Sequence, residues 1–290
     1  VSTTTSVATT TTTTVATTTS SISTTTLPPE PTLLSKEQQR CVNKLNKDGQ
    51  AVDQAQLSEN QTCLKDFQKG RLFGTVEDCL IADRHGKVQK AKDRTIKDDT
   101  NLCVPLDPQP PFAYTGAATV NNAAVAGPID LIHAIFGDPV DNAPLATTNA
   151  NKDTARCQMT MLKQAGRLED TVLNDLNKAK KKSIKGSVVD SAEALEVALA
   201  AVLSSNEKIT NKQSQLYKRV DDSCATLQAL PSTVFPGACA DADLGVVEDC
   251  VIDAARCVAC LKMNAFDDLA LECDQWDNQA RDGSCPVPTP

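Results

Sequence analysis

The residues most able to do chemistry in this chain are its twelve cysteines, which are spread from position 41 to position 285. An even number of cysteines distributed in this way predicts a framework of disulfide bonds, and disulfides persist in oxidising compartments. We therefore expect a secreted protein that works outside the cell or at its surface. The cysteines are Cys41, Cys63, Cys79, Cys103, Cys157, Cys224, Cys239, Cys250, Cys257, Cys260, Cys273 and Cys285.

Cys257 and Cys260 form the single C-x-x-C motif of the chain. Haem attachment would require histidine at the next position, where Leu261 stands. A zinc site would need a second close pair, and a redox dithiol would need a cysteine at the start of a helix, whereas these two lie within a helical pattern. We predict that each cysteine forms a structural disulfide with a different element.

Other catalytic chemistry has little support in this sequence. Histidine occurs only at His85, in a charged stretch that predicts an exposed turn, and at His133, in an apolar stretch where we expect a structural role. Paired acids such as those at 77–78 and 248–249 are typical of helix caps. A glycosidase would also need more aromatic platforms than Trp276 alone supplies. The sequence predicts no enzymatic activity, no metal and no cofactor.

An internal repeat is indicated by two similar segments, at 74–81 (GTVEDCLI) and at 245–252 (GVVEDCVI). Interpreted as two helical hairpins with nested bridges, the repeat predicts inner and outer disulfides in each copy. The inner pairs are Cys63–Cys79 and Cys239–Cys250, and the outer pairs are Cys41–Cys103 and Cys224–Cys273. The remaining Cys157, Cys257, Cys260 and Cys285 would join the long helices and the C-terminal tail to the second copy.

The elements that must position these cysteines are predicted to be helices. The chain is 40% hydrophobic but only 3% aromatic, a composition that favours an all-α fold. Ser35 and Gln38 form a capping box for a first helix, and Pro128 is expected to begin a short helix that ends at Phe136. The predicted divisions are an arm with a proline linker (1–34), a first cysteine-stapled repeat (35–107), an irregular loop with that short helix (108–150), a long helical hairpin (151–223) and a second repeat (224–290).

The predicted long hairpin rests on two amphipathic patterns. Apolar residues recur every three or four positions from 155 to 179, and again from 195 to about 221. Gly186 would end the first helix, and Asp190 with Glu193 would cap the second. An antiparallel pair within the chain is the expected arrangement, with a coiled coil to a partner as the alternative. The basic cluster at 178–185 is interpreted as a solvated helix end.

The N-terminal arm is of low complexity, with 15 Thr and 5 Ser among the first 26 residues. Val1, Val7 and Val15 stand at odd positions and would share one face of an extended strand, whereas Ile22, at an even position, would lie on the opposite face. One hypothesis is that the arm binds another copy of the chain and builds a homopolymer. The other is a stalk carrying glycans on threonines. The residues considered for glycosylation are Thr9, Thr10, Thr11, Thr12 and, within an N-glycosylation sequon, Asn60.

Charge and hydropathy limit the partners. The net charge is −8 and the arm has no charged residue, so the acidity lies in the body and argues against nucleic acid and anionic membranes. The sequence contains no apolar run of about 18 residues, the length that would predict a membrane span. We interpret the start at Val1 as that of a mature, exported chain.

The segments 250–265 and 271–278 carry the motif C-x₆-C-x₂-C followed by L-E-C-D-Q-W. In these motifs the chain resembles uncharacterised secreted cysteine-rich proteins of environmental bacteria, a resemblance that extends in spacing over 36–285. The resemblance implies export and disulfides, and no activity. From the arm and the lack of catalytic motifs we expect a structural subunit of an extracellular filament or surface assembly. The alternative is a secreted binding module on a glycosylated stalk.

Overall fold

The computed structural model describes residues 33–186 and 189–285, which contain helices and no β-strand. The predicted all-α fold is therefore confirmed for this part of the chain. The helices are α1 (Lys36–Gln68), α2 (Val76–Ile81), α3 (Lys87–Leu102), α4 (Gly116–Phe136), α5 (Lys152–Lys185), α6 (Ala192–Ser204), α7 (Glu207–Cys224), α8 (Pro231–Val234), α9 (Leu244–Asp267) and α10 (Cys273–Asn278), with a 3-10 turn at Val140–Asn142.

Helix α1 begins at the capping box that the sequence predicts. The Ser35 hydroxyl accepts a hydrogen bond from the backbone N–H of Gln38, whose side-chain oxygen accepts one from the Ser35 N–H. Both bonds satisfy donors that a helix start otherwise leaves free. One face of α1, including Val42 and Leu45, is buried against α3, α4 and α5. This capped helix of 33 residues is a long element against which several other helices pack.

Helix α5 is the central element of the described fold. Its N-cap is Asn151, whose side chain accepts from the Thr154 N–H, and Gly186 follows its last residue. Its apolar stripe, including Leu162, Leu168 and Leu176, is fully buried because α1, α6, α7 and α9 all pack around it. Gly186 ends the helix as the sequence predicts.

Helix α4 corrects the expectation of an irregular segment at 108–150. It runs for 21 residues and holds Pro128 in its interior, not at its first turn. Asp99 stabilises the helix start by accepting from the Ala117 N–H at 2.9 Å, and the Pro128 carbonyl accepts from Asn60 Nδ2. The alanine-rich first half has no strong polar–apolar alternation, so its helical character is hard to read from the pattern.

The second half of the predicted long hairpin is also different. The expected single helix from Asp190 to about Asp221 is two helices, α6 and α7, with Ser205 and Asn206 between them. Asn206 caps α7 by accepting from the backbone N–H groups of Lys208 and Ile209. The cap of α6 is Ser191, not Asp190. Local capping thus interrupts an apolar stripe that is continuous in sequence.

All twelve cysteines are paired, in six disulfides. Three bonds agree with the predicted pairs, namely Cys41–Cys103, Cys63–Cys79 and Cys239–Cys250. The C-x-x-C cysteines bond to separate elements, as expected, in Cys257–Cys285 and Cys260–Cys273. The sixth bond is Cys157–Cys224.

The predicted Cys224–Cys273 pair is therefore wrong. Cys224 ends α7, and the packing of α7 along α5 places its Cα atom 4.9 Å from that of Cys157. Cys273 instead begins α10, which packs on α9 with its Cα atom 5.6 Å from that of Cys260. Helices α5 and α7 are thus joined by a disulfide of their own, and the segments 41–103 and 224–273 are not bonded alike.

Six disulfides fit a protein of an oxidising, extracellular compartment. Among the helices of the described residues, none combines the length and apolar character needed to cross a bilayer.

Candidate functional site

A groove of about 830 Å³ lies between α1 and α5. Seven of its thirteen lining residues are cationic, six carry an uncharged amide, and none is acidic or aromatic. This composition is unusual in a chain whose net charge is −8. The lining residues are Lys36, Gln39, Arg40, Asn43, Lys44, Asn46, Lys47, Gln50, Asn174, Asn177, Lys178, Lys181 and Lys185.

Helical spacing brings these residues onto one surface. On α1 the cations at 36, 40, 44 and 47 follow one another at intervals of three or four, and on α5 those at 178, 181 and 185 do the same. Residues at such intervals lie on one face of a helix. Because α1 and α5 pack side by side, the two rows face the same groove.

The half-buried or buried floor of the groove is made of amides linked across the two helices. Asn177 Nδ2 donates to Gln50 Oε1 at 3.3 Å, and Asn46 Nδ2 donates to Asn177 Oδ1 at 3.2 Å. Asn46 is only 2% exposed, yet its Oδ1 atom has no hydrogen-bond partner among the described residues. The Asn174 side chain likewise makes no hydrogen bond there. The floor therefore keeps unused donors and acceptors, which a buried amide ordinarily does not.

The rim consists of cationic side chains, all exposed except Lys44, which is half-buried. Lys44 is neutralised by Asp48 and Asp98, and Lys178 lies 3.3 Å from Asp175. The other five cations form no salt bridge within 33–186 and 189–285. They are Lys36, Arg40, Lys47, Lys181 and Lys185.

A second groove of about 490 Å³ lies farther along the same pair of helices. It is lined by residues of α1 from Ser58 to Gln68, by Lys69 directly after that helix, and by α5 residues from Lys152 to Lys163, together with Thr148. Five of its twelve lining residues are cationic, and again none is acidic. Between the two grooves, Gln50 and Gln54 both donate to Asp170 at 2.8 Å. The α1–α5 seam is thus basic at both ends and crossed by hydrogen bonds in the middle.

This arrangement is suited to binding anions. Lysine and arginine attract carboxylate, sulfate and phosphate groups, with guanidinium able to bind them bidentately. Amides can both donate to and accept from hydroxyl groups. The groove holds no histidine, carboxylate or cysteine that could act as a base or nucleophile.

The sequence-predicted assembly residues Val1, Val7, Val15 and Ile22 lie outside the described residues, as do the glycosylation candidates Thr9, Thr10, Thr11 and Thr12. The interactions of the arm and its glycans therefore stay predictions.

The sequon at Asn60 is corrected by the structure. Asn60 is fully buried, its Nδ2 donates to the Pro128 carbonyl at 2.8 Å, and its Oδ1 accepts from Gln56 Nε2 at 2.9 Å. A glycan on Nδ2 would have to displace α4 from α1. Asn60 is a structural residue in this fold, and burial of this kind is invisible in a three-residue motif.

The two histidines both contact carboxylates. His85 Nδ1 lies 2.9 Å from Glu59. His133 Nε2 lies 3.0 Å from Glu77 Oε1, and these two residues with Asp138 bring three ligand-type atoms within 4.8 Å of one another. Imidazole and carboxylate are ligands of divalent transition metals, a combination that the sequence does not predict. Glu77 also accepts from the Val140 N–H at 3.0 Å, so hydrogen bonds already account for its position.

The groove is the feature that sequence reasoning missed. The basic cluster at 178–185 predicts a solvated helix end when it is taken alone, because its pairing with the cations of α1 depends on how the two helices pack. The available signal was that both helices carry cations and amides at intervals of three or four on one face, without acids at those positions.

Comparisons of the chain with protein-family models, with curated proteins and with solved structures gave no match. The resemblance to secreted cysteine-rich proteins consequently stays a prediction. The function must be argued from the chain's own geometry.

Proposed function

We propose that this protein is a secreted binding module that holds an extended acidic polysaccharide along the α1–α5 seam. The observation that carries the proposal is a groove lined by no acid, in which five cations have no ion pair among the described residues. They surround a floor of amides that includes Asn46 Oδ1, which is buried and has no hydrogen-bond partner in the same part of the chain. A polymer of anionic sugars offers both carboxylate or sulfate groups for the rim and hydroxyl groups for the floor.

The length of the seam supports a polymer over a small anion. At about 1.5 Å per residue, the 33 residues of α1 extend for roughly 50 Å. The two basic grooves lie at opposite ends of this length, so one chain could contact both. A single small anion would leave most of these cations unused.

Acidic polysaccharide is favoured over nucleic acid by the composition of the groove. Proteins that bind single strands combine cations with aromatic side chains on which bases stack, and no aromatic residue lines either groove. The six disulfides also fit an extracellular setting, where acidic polysaccharides are abundant polyanions.

The arrangement of the helical hairpins and the role of the N-terminal arm also remain proposals. We infer that the disulfides staple helical hairpins around α5, which would keep the seam rigid. A structural role through self-assembly of the arm stays the competing hypothesis, since the arm lies outside the described residues.

The experiment compares the wild-type chain with two double variants that change charge equally. Lys47→Glu with Lys181→Glu reverses one cation on each wall of the groove, and Lys218→Glu with Arg219→Glu reverses two exposed cations on α7. Binding is measured by calorimetry to polygalacturonate, dextran sulfate, neutral dextran and single-stranded DNA, at low and physiological salt.

We expect the acidic polysaccharides to bind, neutral dextran not to bind, and affinity to fall with salt. The groove variant should lose about tenfold or more in affinity, about 1.4 kcal/mol, while the α7 variant changes little. Equal losses in both variants would show that net charge alone acts. Tighter binding of DNA than of either polysaccharide would refute the ligand class.

A further inference from the structure

Three charged side chains from three helices meet in the core of the described fold, far from solvent. Lys262 on α9 contacts Asp53 on α1 and Glu169 on α5 through its Nζ atom. The side chains of Asp53 and Glu169 are 0% exposed, and that of Lys262 is 2% exposed. Keeping a lysine and two acids ionised in the core costs desolvation free energy. The presence of all three side chains at one buried point therefore indicates a specific role.

The charges balance only if one acid carries a proton. With Lys262 charged and both acids ionised, the site would hold a net negative charge without solvent. Burial, and then the neighbouring Asp53 charge, hold the pKa of Glu169 well above its usual range. Burial also raises the pKa of Asp53. The second oxygens of both acids, Asp53 Oδ2 and Glu169 Oε2, have no partner among the described residues.

We propose that Lys262 and Asp53 are joined by an intramolecular amide bond, which forms without another enzyme and with Glu169 as the catalytic acid. The juxtaposition that carries the proposal is one amine in contact with two fully buried carboxyl groups.

The reaction is a condensation in which no electrons are exchanged with a cofactor. Although burial opposes it, the charges of Asp53 and Glu169 raise the pKa of Lys262. The Lys262 ammonium must therefore first give a proton to the Asp53 carboxylate, whose pKa is raised by burial. The Nζ lone pair then forms a bond to Asp53 Cγ while the Glu169 carboxyl group donates a hydrogen bond to the developing oxyanion.

Glu169 next transfers a proton from Nζ to the departing hydroxyl group, so that the Cγ–O bond breaks and one water molecule leaves. Glu169 ends the reaction protonated, as it began. The fixed contact of amine and carboxyl groups supplies the proximity that makes such a step unimolecular, and the dry surroundings oppose its reversal by hydrolysis.

The position of this bond complements the disulfides. Two disulfides join α1 to α2 and α3, one joins α5 to α7, and three involve α9 and the segments flanking it. No disulfide connects these three sets with one another. An Asp53–Lys262 amide would link the α1 set directly to the α9 set.

A second buried pair provides an internal control. Lys180 Nζ lies 2.5 Å from Asp267 Oδ1 and 3.2 Å from the Val42 carbonyl, and both side chains are 0% exposed. The other Asp267 oxygen accepts from Asn46 Nδ2 at 3.0 Å. No second carboxyl group contacts this lysine within the described residues, so no acid is present to assist, and we expect it to stay an ion pair.

The test is a peptide map of the full chain after reduction, alkylation and tryptic digestion. An amide at Lys262 blocks cleavage there, so the peptide 257–281 should appear joined to 48–65, lighter than their sum by one water molecule. Asp53→Ala and Glu169→Gln should yield 48–65 and 257–262 separately. Lys180→Met, the matched control, should keep the joined peptide.

The wild-type map decides the proposal even if a variant fails to fold, which circular dichroism would reveal. Separate 48–65 and 257–262 peptides from the wild-type chain would overturn it. A Lys262 bond to the peptide that contains Glu169 would also overturn it, because the two acids would then have exchanged roles. Persistence of the joined peptide in a folded Glu169→Gln variant would remove Glu169 as the catalytic acid.

Discussion

Replacing Lys180 by methionine tests how the core tolerates buried charge. Methionine retains most of the lysine volume but removes the ammonium that lies 2.5 Å from Asp267. Asp267 then keeps only Asn46 as a partner. Loss of one member of a buried pair typically costs about 3–5 kcal/mol of unfolding free energy, and we expect a loss in that range at neutral pH.

The double variant Lys180→Met with Asp267→Asn separates charge from packing. It removes the carboxylate and leaves only hydrogen-bonding groups without full partners, at a cost of about 1–3 kcal/mol. The double variant should therefore be about 2 kcal/mol more stable than the single one. Lys218→Met, at an exposed position on α7, should change stability by less than about 0.5 kcal/mol.

The pH dependence supplies a further check. Burial raises the pKa of Asp267 even with Lys180 present, and removal of the lysine raises it further. Since a raised pKa in the folded state means stability that is lost as pH rises, the deficit of Lys180→Met should grow from acidic to neutral pH. The assay is urea unfolding followed by circular dichroism, with disulfides intact. Equal stability of the single and double variants, or a deficit independent of pH, would refute the reasoning.

Two further predictions concern a buried acid and the arm. Burial, and then the charge of Asp221, raise the pKa of Glu248 from 4.5 to about 8, so unfolding free energy should fall between these pH values by up to about 1.4 kcal/mol per pH unit. Glu248→Gln should flatten that slope in urea titrations, and an unchanged slope would exclude Glu248 as its source. Deletion of residues 1–26 should leave the body folded but abolish any polymer in sedimentation, and polymers from the truncated chain would contradict the filament hypothesis.

Several parts of the fold could be predicted from local signals. The capping box at Ser35, the end of α5 at Gly186 and the inner disulfides all depend on residues that are close in sequence. The outer pair Cys41–Cys103 could be predicted from the nested arrangement of the cysteines in the segment 41–103.

The sequence-based predictions fail where the structure is determined by how helices pack on one another. The partner of Cys224 depends on how α7 lies along α5, which repeat symmetry does not reveal. Pro128 is accommodated inside α4 beside Asn60. The cationic groove joins residues on α1 and α5 that are more than 120 positions apart in sequence, so neither helix alone distinguishes it from a solvated surface.

The placement of cysteines on long helices has a consequence for how the protein matures. Cys41 and Cys63 emerge first but lie on the same helix, about 33 Å apart at 1.5 Å per residue, too far to react with each other. Once α1 has formed, Cys63 can form its bond only after Cys79 has been synthesised, and Cys41 only after Cys103 has been synthesised. Early formation of α1 therefore favours the bonds Cys63–Cys79 and Cys41–Cys103 over a mispaired Cys41–Cys63 bond.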